Sequence, residues 1–273
     1  MRPSVAVVGV GAMGEAIVRG LLSAGWKPSE LVGAVRREKR VHDIESRIGV
    51  ECHLDPRLAV AGRDVVVVAV KPRDVKQLLG DLAGIVTTDQ VVVSLAAGVP
   101  LALYEDVLPG VPVVRAMPNT PSLVREGVTA IAGGSHVTDD ELARARRVLE
   151  AVGSVEVMEE RLMDAVTAVS GSGPAYIFLM AEALEEAAVR EGLPRDIAET
   201  LVHRMVRGAG HLLTDTPIKA SELRAQVTSP GGTTAAALHV LEEKGFRALV
   251  EDAVSAAAQR SRELGAASLE NGT

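Results

Sequence analysis

Aromatic residues make up only 2% of this 273-residue chain: two Phe, two Tyr and one Trp. Ring stacking is therefore excluded as the main basis of ligand binding, and Ala, Val and Leu have to build the core. The single cysteine, Cys52, excludes an intramolecular disulfide and suits a reducing compartment. Beside a short strand it reads as packing, not as a catalytic thiol. Positive charge is also scarce. The 29 Lys and Arg face 36 Asp and Glu, for a net charge of −7, which argues against a nucleic-acid partner. No apolar run approaches the roughly 20 residues of a membrane span, the densest being Val65 to Val70. A strand begins directly after Met1-Arg2-Pro3-Ser4, leaving no space for a signal peptide. The expectation is a cytoplasmic protein with neither nucleic acid nor membrane as partner. What is present, 47% hydrophobic and 24% charged residues, is the composition of a globular protein.

The first half alternates short β-branched runs with helix-length segments. Val5–Val8, Leu31–Val35, Val65–Val70, Val91–Leu95, Val111–Met117 and Val128–Ala132 read as strands. Their continuous apolar character predicts a mostly parallel sheet covered on both faces, hence a doubly wound α/β domain. After about residue 160 no strand-like run recurs. Residues 161–169, 173–191, 194–213, 219–227, 234–243 and 245–264 read as helices, punctuated by Gly192-Leu193-Pro194, Asp215-Thr216-Pro217, Ser229-Pro230-Gly231-Gly232 and Lys244-Gly245. The predicted organisation is an α/β Rossmann-type domain over 1–159, an all-α domain over 160–267, and a flexible tail over 268–273.

Gly9-Val10-Gly11-Ala12-Met13-Gly14 is a G-x-G-x-x-G between a strand and a helix. Glycines at these positions allow a tight turn, close approach of backbone to a pyrophosphate, and close helix–strand packing. The helix start then offers free N–H groups and a positive dipole end. Gly9, Gly11, Ala12, Met13 and Gly14 are thus candidate cofactor contacts. The next strand runs out as Ala34-Val35-Arg36-Arg37, with no acid to take a ribose 2′-hydroxyl until Glu38. Two arginines there can grip a 2′-phosphate, so Val35, Arg36 and Arg37 point to NADPH, with NADH as the lesser alternative. The competing reading is a solvated basic helix start, since Lys39 and Arg40 continue the run. Strand ends at Ala69-Val70-Lys71-Pro72 and at Ala96-Ala97-Gly98 supply further candidate cofactor contacts. No His/Cys/Asp cluster has metal-ligand spacing, so no metal is expected.

Taken together, Gly9–Gly14, Ala69–Pro72, Ser94–Gly98, Arg115-Ala116-Met117-Pro118-Asn119-Thr120-Pro121, Ser170–Tyr176 and Val227–Thr234 resemble the pyrroline-5-carboxylate reductase family over essentially the whole chain. The last three, in this order and separation, are specific to it. The resemblance implies an NADPH-dependent reduction of the cyclic imine 1-pyrroline-5-carboxylate to L-proline, the last step of proline biosynthesis. It implies that the all-α domain dimerises, giving a homo-oligomer that is a dimer at least and a decamer as the larger assembly. It also implies that backbone N–H groups around Ser229, Gly231, Gly232, Thr233 and Thr234 bind the substrate carboxylate, and that the Thr234 hydroxyl faces the ring nitrogen. Glu160 matches a residue near the substrate, and Asn119 lies in a rigid loop expected beside the nicotinamide. One departure stands out: the chain reads Asp55-Pro56-Arg57 where the family commonly carries an Asn touching the cofactor, which puts that single contact in question.

A protonated imine is already electrophilic, so the absence of all six histidines from these motifs is expected. The nearest rival enzyme, a 3-hydroxyacid dehydrogenase, needs a lysine on an early helix of the second domain, and residues 173–191 contain none. A non-catalytic dinucleotide-binding protein is the other alternative; it should show a degraded cradle, and Ser229–Thr234 is intact.

Overall fold

A computed structural model describes residues 2–270, and these divide into two compact units, one running to Ser172 and resuming at Ala256, the other Gly173–Ser255. The first is built on one eight-stranded sheet of order β3-β2-β1-β4-β5-β6-β7-β8. Its strands are β1 (Val5–Val8), β2 (Leu31–Ala34), β3 (Glu51–His53), β4 (Val65–Val68), β5 (Val91–Ser94), β6 (Val113–Met117), β7 (Gly127–Gly133) and β8 (Gly153–Val157). All neighbours run parallel except β6 and β7. Between them lie α1 (Ala12–Ser23), α2 (Glu38–Ile48), α3 (Pro56–Val60), α4 (Pro72–Leu82), α5 (Leu101–Val107) and α6 (Asp139–Leu149).

The valine runs explain the layering. Side chains alternate across a strand, so Val5, Val7, Val65, Val67, Val91 and Val93 fill one face, with Ile17, Leu21 and Leu149. Ala6, Val8, Val66, Val68 and Val92 fill the other, with Leu79, Leu82 and Tyr104. Such strands need no polar face, which is why they read as unbroken apolar runs. One strand, β8, escaped the sequence reading, and β3 was visible in it only as a short strand beside Cys52. β3 is three residues long with only Cys52 buried, and β8 buries only Val155. Both lie at sheet edges, where the apolar signal is weakest. In the other direction, Val35, Val70 and Leu95 fall just beyond the ladders, in the loops that follow β2, β4 and β5. Cys52 is 4% exposed, and burial pushes its thiol up to about 11, consistent with packing.

The unit continues with α7 (Met163–Val166) and a single π turn, Thr167–Gly171. The helical reading of 161–169 holds as a short turn at 160–162, α7 and the π turn, the coil widening where the Thr167 hydroxyl donates to Met163 O at 2.8 Å. In the compact units, Glu160 to Ser172 and the chain from Ala256 count with the sheet.

The second unit is helical, as its sequence pattern predicts: α8 (Gly173–Arg190), α9 (Arg195–Asp215), α10 (Ala220–Gln226), α11 (Thr233–Glu243) and α12 (Phe246–Glu270), the last passing into the first unit beyond Ser255. Residues 268–270 of the expected tail continue α12; 271–273 lie outside the described residues. Among the described residues no helix is long and apolar enough to cross a membrane.

Candidate active site

β1 pairs with β2 on one side and β4 on the other, so the chain changes winding direction at the carboxyl end of β1, where such sheets bind ligands. The Gly-rich loop sits there, and its three glycines answer three separate demands. Gly9 has φ +95°, and a Cβ on it would stand 2.8 Å from the Ala69 backbone. Gly14 would place a Cβ 2.5 Å from Gly9 O, so α1 can only start this close to β1 without a side chain there. Around Gly11, in contrast, a Cβ would meet nothing within 4 Å. Gly11 opens α1 with no side-chain cap, leaving the first N–H groups, those of Ala12, Met13 and Gly14, directed into that open space. The loop thus offers donors, a dipole end and room for a pyrophosphate.

The basic run after β2 divides by function. Arg40 donates through Nε to Val10 O at 3.2 Å and pairs with Glu15 and Asp43, so it braces the glycine loop. Arg36 projects outward and pairs with Asp74 of α4 at 2.5 Å. Among the described residues the Arg37 side chain has no ion pair or hydrogen bond, which leaves it free for a phosphate. Val35 turns its side chain into the core, so only its backbone faces outward. Asp55-Pro56-Arg57 forms a local helix start: Pro56 opens α3, Asp55 Oδ1 accepts from Arg57 N at 3.0 Å, and the same carboxylate pairs with the Arg57 side chain. The Asp55 carboxylate is thus engaged within the turn.

After β4 and β5 come the two loops expected beside the nicotinamide half. Ala69 N bonds Val8 O at 2.8 Å, which ties the first of them to the glycine loop's strand. In the second, Ala96 is buried, and Ser94 Oγ bonds the buried Tyr104 hydroxyl, whose pKa burial raises. Gly98 has φ +77°, and a Cβ there would lie 3.2 Å from Leu264 Cβ and 3.3 Å from Ser261 O of α12. A Cβ on Gly265 would in turn stand 2.7 Å from Gly98 O. The end of the last helix therefore packs backbone to backbone on the loop carrying Ala96–Gly98.

A buried ionic group completes that corner. Arg115 of β6, 7% exposed, pairs through Nη1 with Glu160 Oε1 at 3.0 Å and approaches Asp164 Oδ1 at 3.8 Å. Glu160 Oε1 also accepts from Leu101 N at 2.8 Å, and the Ser261 hydroxyl donates to Asp164 Oδ1 at 2.7 Å. Glu160 thus fastens the start of α5. Asn119 is buried as well. Its Oδ1 accepts from Val128 N at 3.0 Å and its Nδ2 reaches Ser170 Oγ in the π turn at 3.5 Å, so it braces the loop it lies in. Sequence reasoning missed Asp164, Ser261 and Gly265 entirely and quoted Arg115 without a role, because a brace made of four distant segments leaves no local pattern.

In the second unit, Ser229–Thr234 forms the turn that opens α11. Gly231 has φ +69°, Gly232 N bonds Ser229 O at 3.0 Å, and a Cβ on Gly232 would stand 2.3 Å from Ser229 Oγ. Gly232 is the cap residue and makes no side-chain cap bond, so the first amides of α11, including those of Thr233 and Thr234, are not consumed by a capping side chain. A small anion finds donors, a dipole end and two hydroxyls within one turn.

Residues 160–264 match the family described as pyrroline-5-carboxylate reductase dimerisation, and residues 4–98 match that described as NADP oxidoreductase, coenzyme F420-dependent. The pyrroline-5-carboxylate reductase of Methanosarcina acetivorans is 41% identical over 94% of this chain and 96% of its own length. The chain belongs to the pyrroline-5-carboxylate reductase family. These are nicotinamide-dependent oxidoreductases acting on a C=N bond. The solved reductase from Coxiella burnetii superposes with a TM-score of 0.92 at 39% identity, covering 97% of this chain and 99% of that one. The pyrroline carboxylate reductase of Plasmodium falciparum, solved with NADP bound, gives 0.86 at 28% identity, covering 96% and 98%. The helical part of a pyrroline-5-carboxylate reductase is thus a dimerisation domain, and the chain is oligomeric with a small-molecule substrate.

Proposed function

We propose that this chain reduces 1-pyrroline-5-carboxylate to L-proline with NADPH in the cytoplasm. The observation that carries the reading is the uncapped double-glycine start of α11, an anion cradle with two threonines at its floor. The backbone N–H groups of Thr233 and Thr234 would hold the substrate carboxylate, with Ser229, Gly231 and Gly232 shaping the turn. The Thr234 hydroxyl would accept from the protonated ring nitrogen and fix the orientation of the imine. Ala12, Met13 and Gly14 would donate to the pyrophosphate, and Arg36 and Arg37 would take the 2′-phosphate. Backbone groups of Ala69 to Pro72 and of Ala96 to Gly98 would line the nicotinamide half, with Asn119 and Glu160 holding that wall in place. Bound NADPH supplies a hydride to the imine carbon. The nitrogen of the iminium then retains the former C=N pair as its lone pair and already carries its proton, so no side chain has to donate one. What remains for the protein is positioning.

Thr234→Ala is expected to lower kcat/KM for pyrroline-5-carboxylate about 10- to 100-fold, the loss of one buried hydrogen bond in the reacting complex. NADPH affinity should not move. Steady-state oxidation of NADPH and titration of the cofactor check the two halves, and unchanged turnover would remove Thr234 from the site.

The surface of the second unit supports assembly. Helix α8 has no buried residue, although Ile177, Phe178 and Leu179 are 52%, 64% and 67% exposed. A dimer that covers these apolar side chains is the minimum, and a decamer of such dimers is the assembly we assign. Phe178→Asp should shift the species seen by light scattering at micromolar concentration toward monomer. A wild type that is monomeric there would overturn the assignment.

A further inference from the structure

The run after β2 carries two arginines that the proposed function assigns to a 2′-phosphate, yet one of them is not free. Arg36 lies with its Nη2 2.5 Å from Asp74 Oδ2. The two come from different segments: Arg36 follows β2, and Asp74 sits in the first turn of α4, which follows β4. Their side chains are 69% and 21% exposed. Asp74 is a firmly ionised group. The Arg36 guanidinium, helped by Arg73 and Lys71, holds its carboxyl below the usual carboxylate range, and a helix N-terminus favours the same charge.

We propose that Asp74 is a specificity-determining residue that competes with the cofactor's 2′-phosphate for Arg36 and so limits the preference for NADPH over NADH. This rests on the reading of Arg36 as a phosphate ligand. A guanidinium has five donors, so Arg36 can leave Asp74 or hold both anions at once. In the first case a phosphate has to displace a carboxylate. In the second, a phosphate carrying between one and two negative charges stands across one guanidinium from a full negative charge. NADH brings a neutral hydroxyl to the same place and feels neither cost. The effect of Asp74 therefore falls on one cofactor alone. In an exposed, water-filled setting, removing the charge is expected to tighten NADPH by about 5- to 10-fold.

The test is calorimetric titration of the full-length oligomer with NADPH and with NADH, for wild type, Asp74→Asn, Asp74→Glu and Arg36→Ala. The expected result is tighter NADPH with Asp74→Asn, NADH within about twofold of wild type, and a wild-type ratio with Asp74→Glu, which keeps the charge. The gain should shrink in half-molar salt, where exposed charges are screened. If Asp74→Asn leaves the NADPH-to-NADH ratio unmoved or lowers it while Arg36→Ala still weakens NADPH selectively, the competition is wrong and the phosphate site stands. If Arg36→Ala weakens both cofactors equally, the phosphate reading itself fails, and this proposal with it.

Discussion

Gly11→Ala is expected to leave the protein folded and to weaken NADPH binding on the order of 100-fold, the scale of one or two lost hydrogen bonds to a charged phosphate. The added methyl meets no protein atom within 4 Å, so the thermal midpoint should not move. It enters the space above the unbonded N–H groups of α1 instead, where a pyrophosphate has to sit. Gly14→Ala is the control with the opposite signature. Its methyl would lie 2.5 Å from Gly9 O, a backbone atom that has nowhere to retreat, so stability and binding should fall together. Calorimetric titration with NADPH and a thermal melt separate the two. Wild-type affinity in Gly11→Ala would mean that the phosphates do not pass over this loop.

The second large effect lies at Arg115. Arg115→Met should destabilise the protein by about 2–3 kcal/mol. Removing one partner of a fully buried pair costs roughly 3–5 kcal/mol, and the figure is reduced here because the Glu160 and Asp164 side chains keep 33% and 28% exposure. For a chain of this size that is a fall in Tm of about 4–12 °C, read by scanning calorimetry. The damage should also be local. Without the guanidinium, two carboxylates face each other with no cation between them, and the bonds to Leu101 N and from Ser261 lose their anchor. Because the end of α12 rests on Gly98, backbone amides of 96–101 should exchange faster with solvent deuterium in Arg115→Met. Arg115→Lys keeps the charge but not the fork, and should fall between the two. A melt unchanged to within about 1 °C would show that the pair carries no net stability, as some buried pairs do.

These two predictions draw on different sources. The glycine loop was legible in the sequence because every requirement it meets is local: a strand, a turn with no side chains in the way, a helix start, all within ten residues of one another. The turn at Ser229–Thr234 was legible for the same reason, as were the helices of the second unit, whose ends are marked by Gly and Pro. Arg115 was not. Its partners arrive from residues 101, 160, 164 and 261, and no spacing in the chain connects them. The edge strand β8 was missed, and β3 gave only a faint signal beside Cys52, because each buries a single residue. The basic run 36–40 shows the limit most plainly. Composition marked it as a place for a phosphate. Only the fold separated Arg40, which braces Val10 and Glu15, from Arg36, which Asp74 holds, and Arg37, which stands free among the described residues.

The sequence by itself determined the two-part organisation, the sheet's buried strands, the glycine turn before α1 and the Ser229–Thr234 turn before α11, since each is written in contiguous residues whose backbone demands are met within one turn or one strand. The tertiary structure decided which charges are spent on bracing and which remain for ligands, and how the last helix closes on the loop after β5. Those depend on side chains brought together from distant segments, where burial and a neighbour's charge, not the residue's own type, fix what it does.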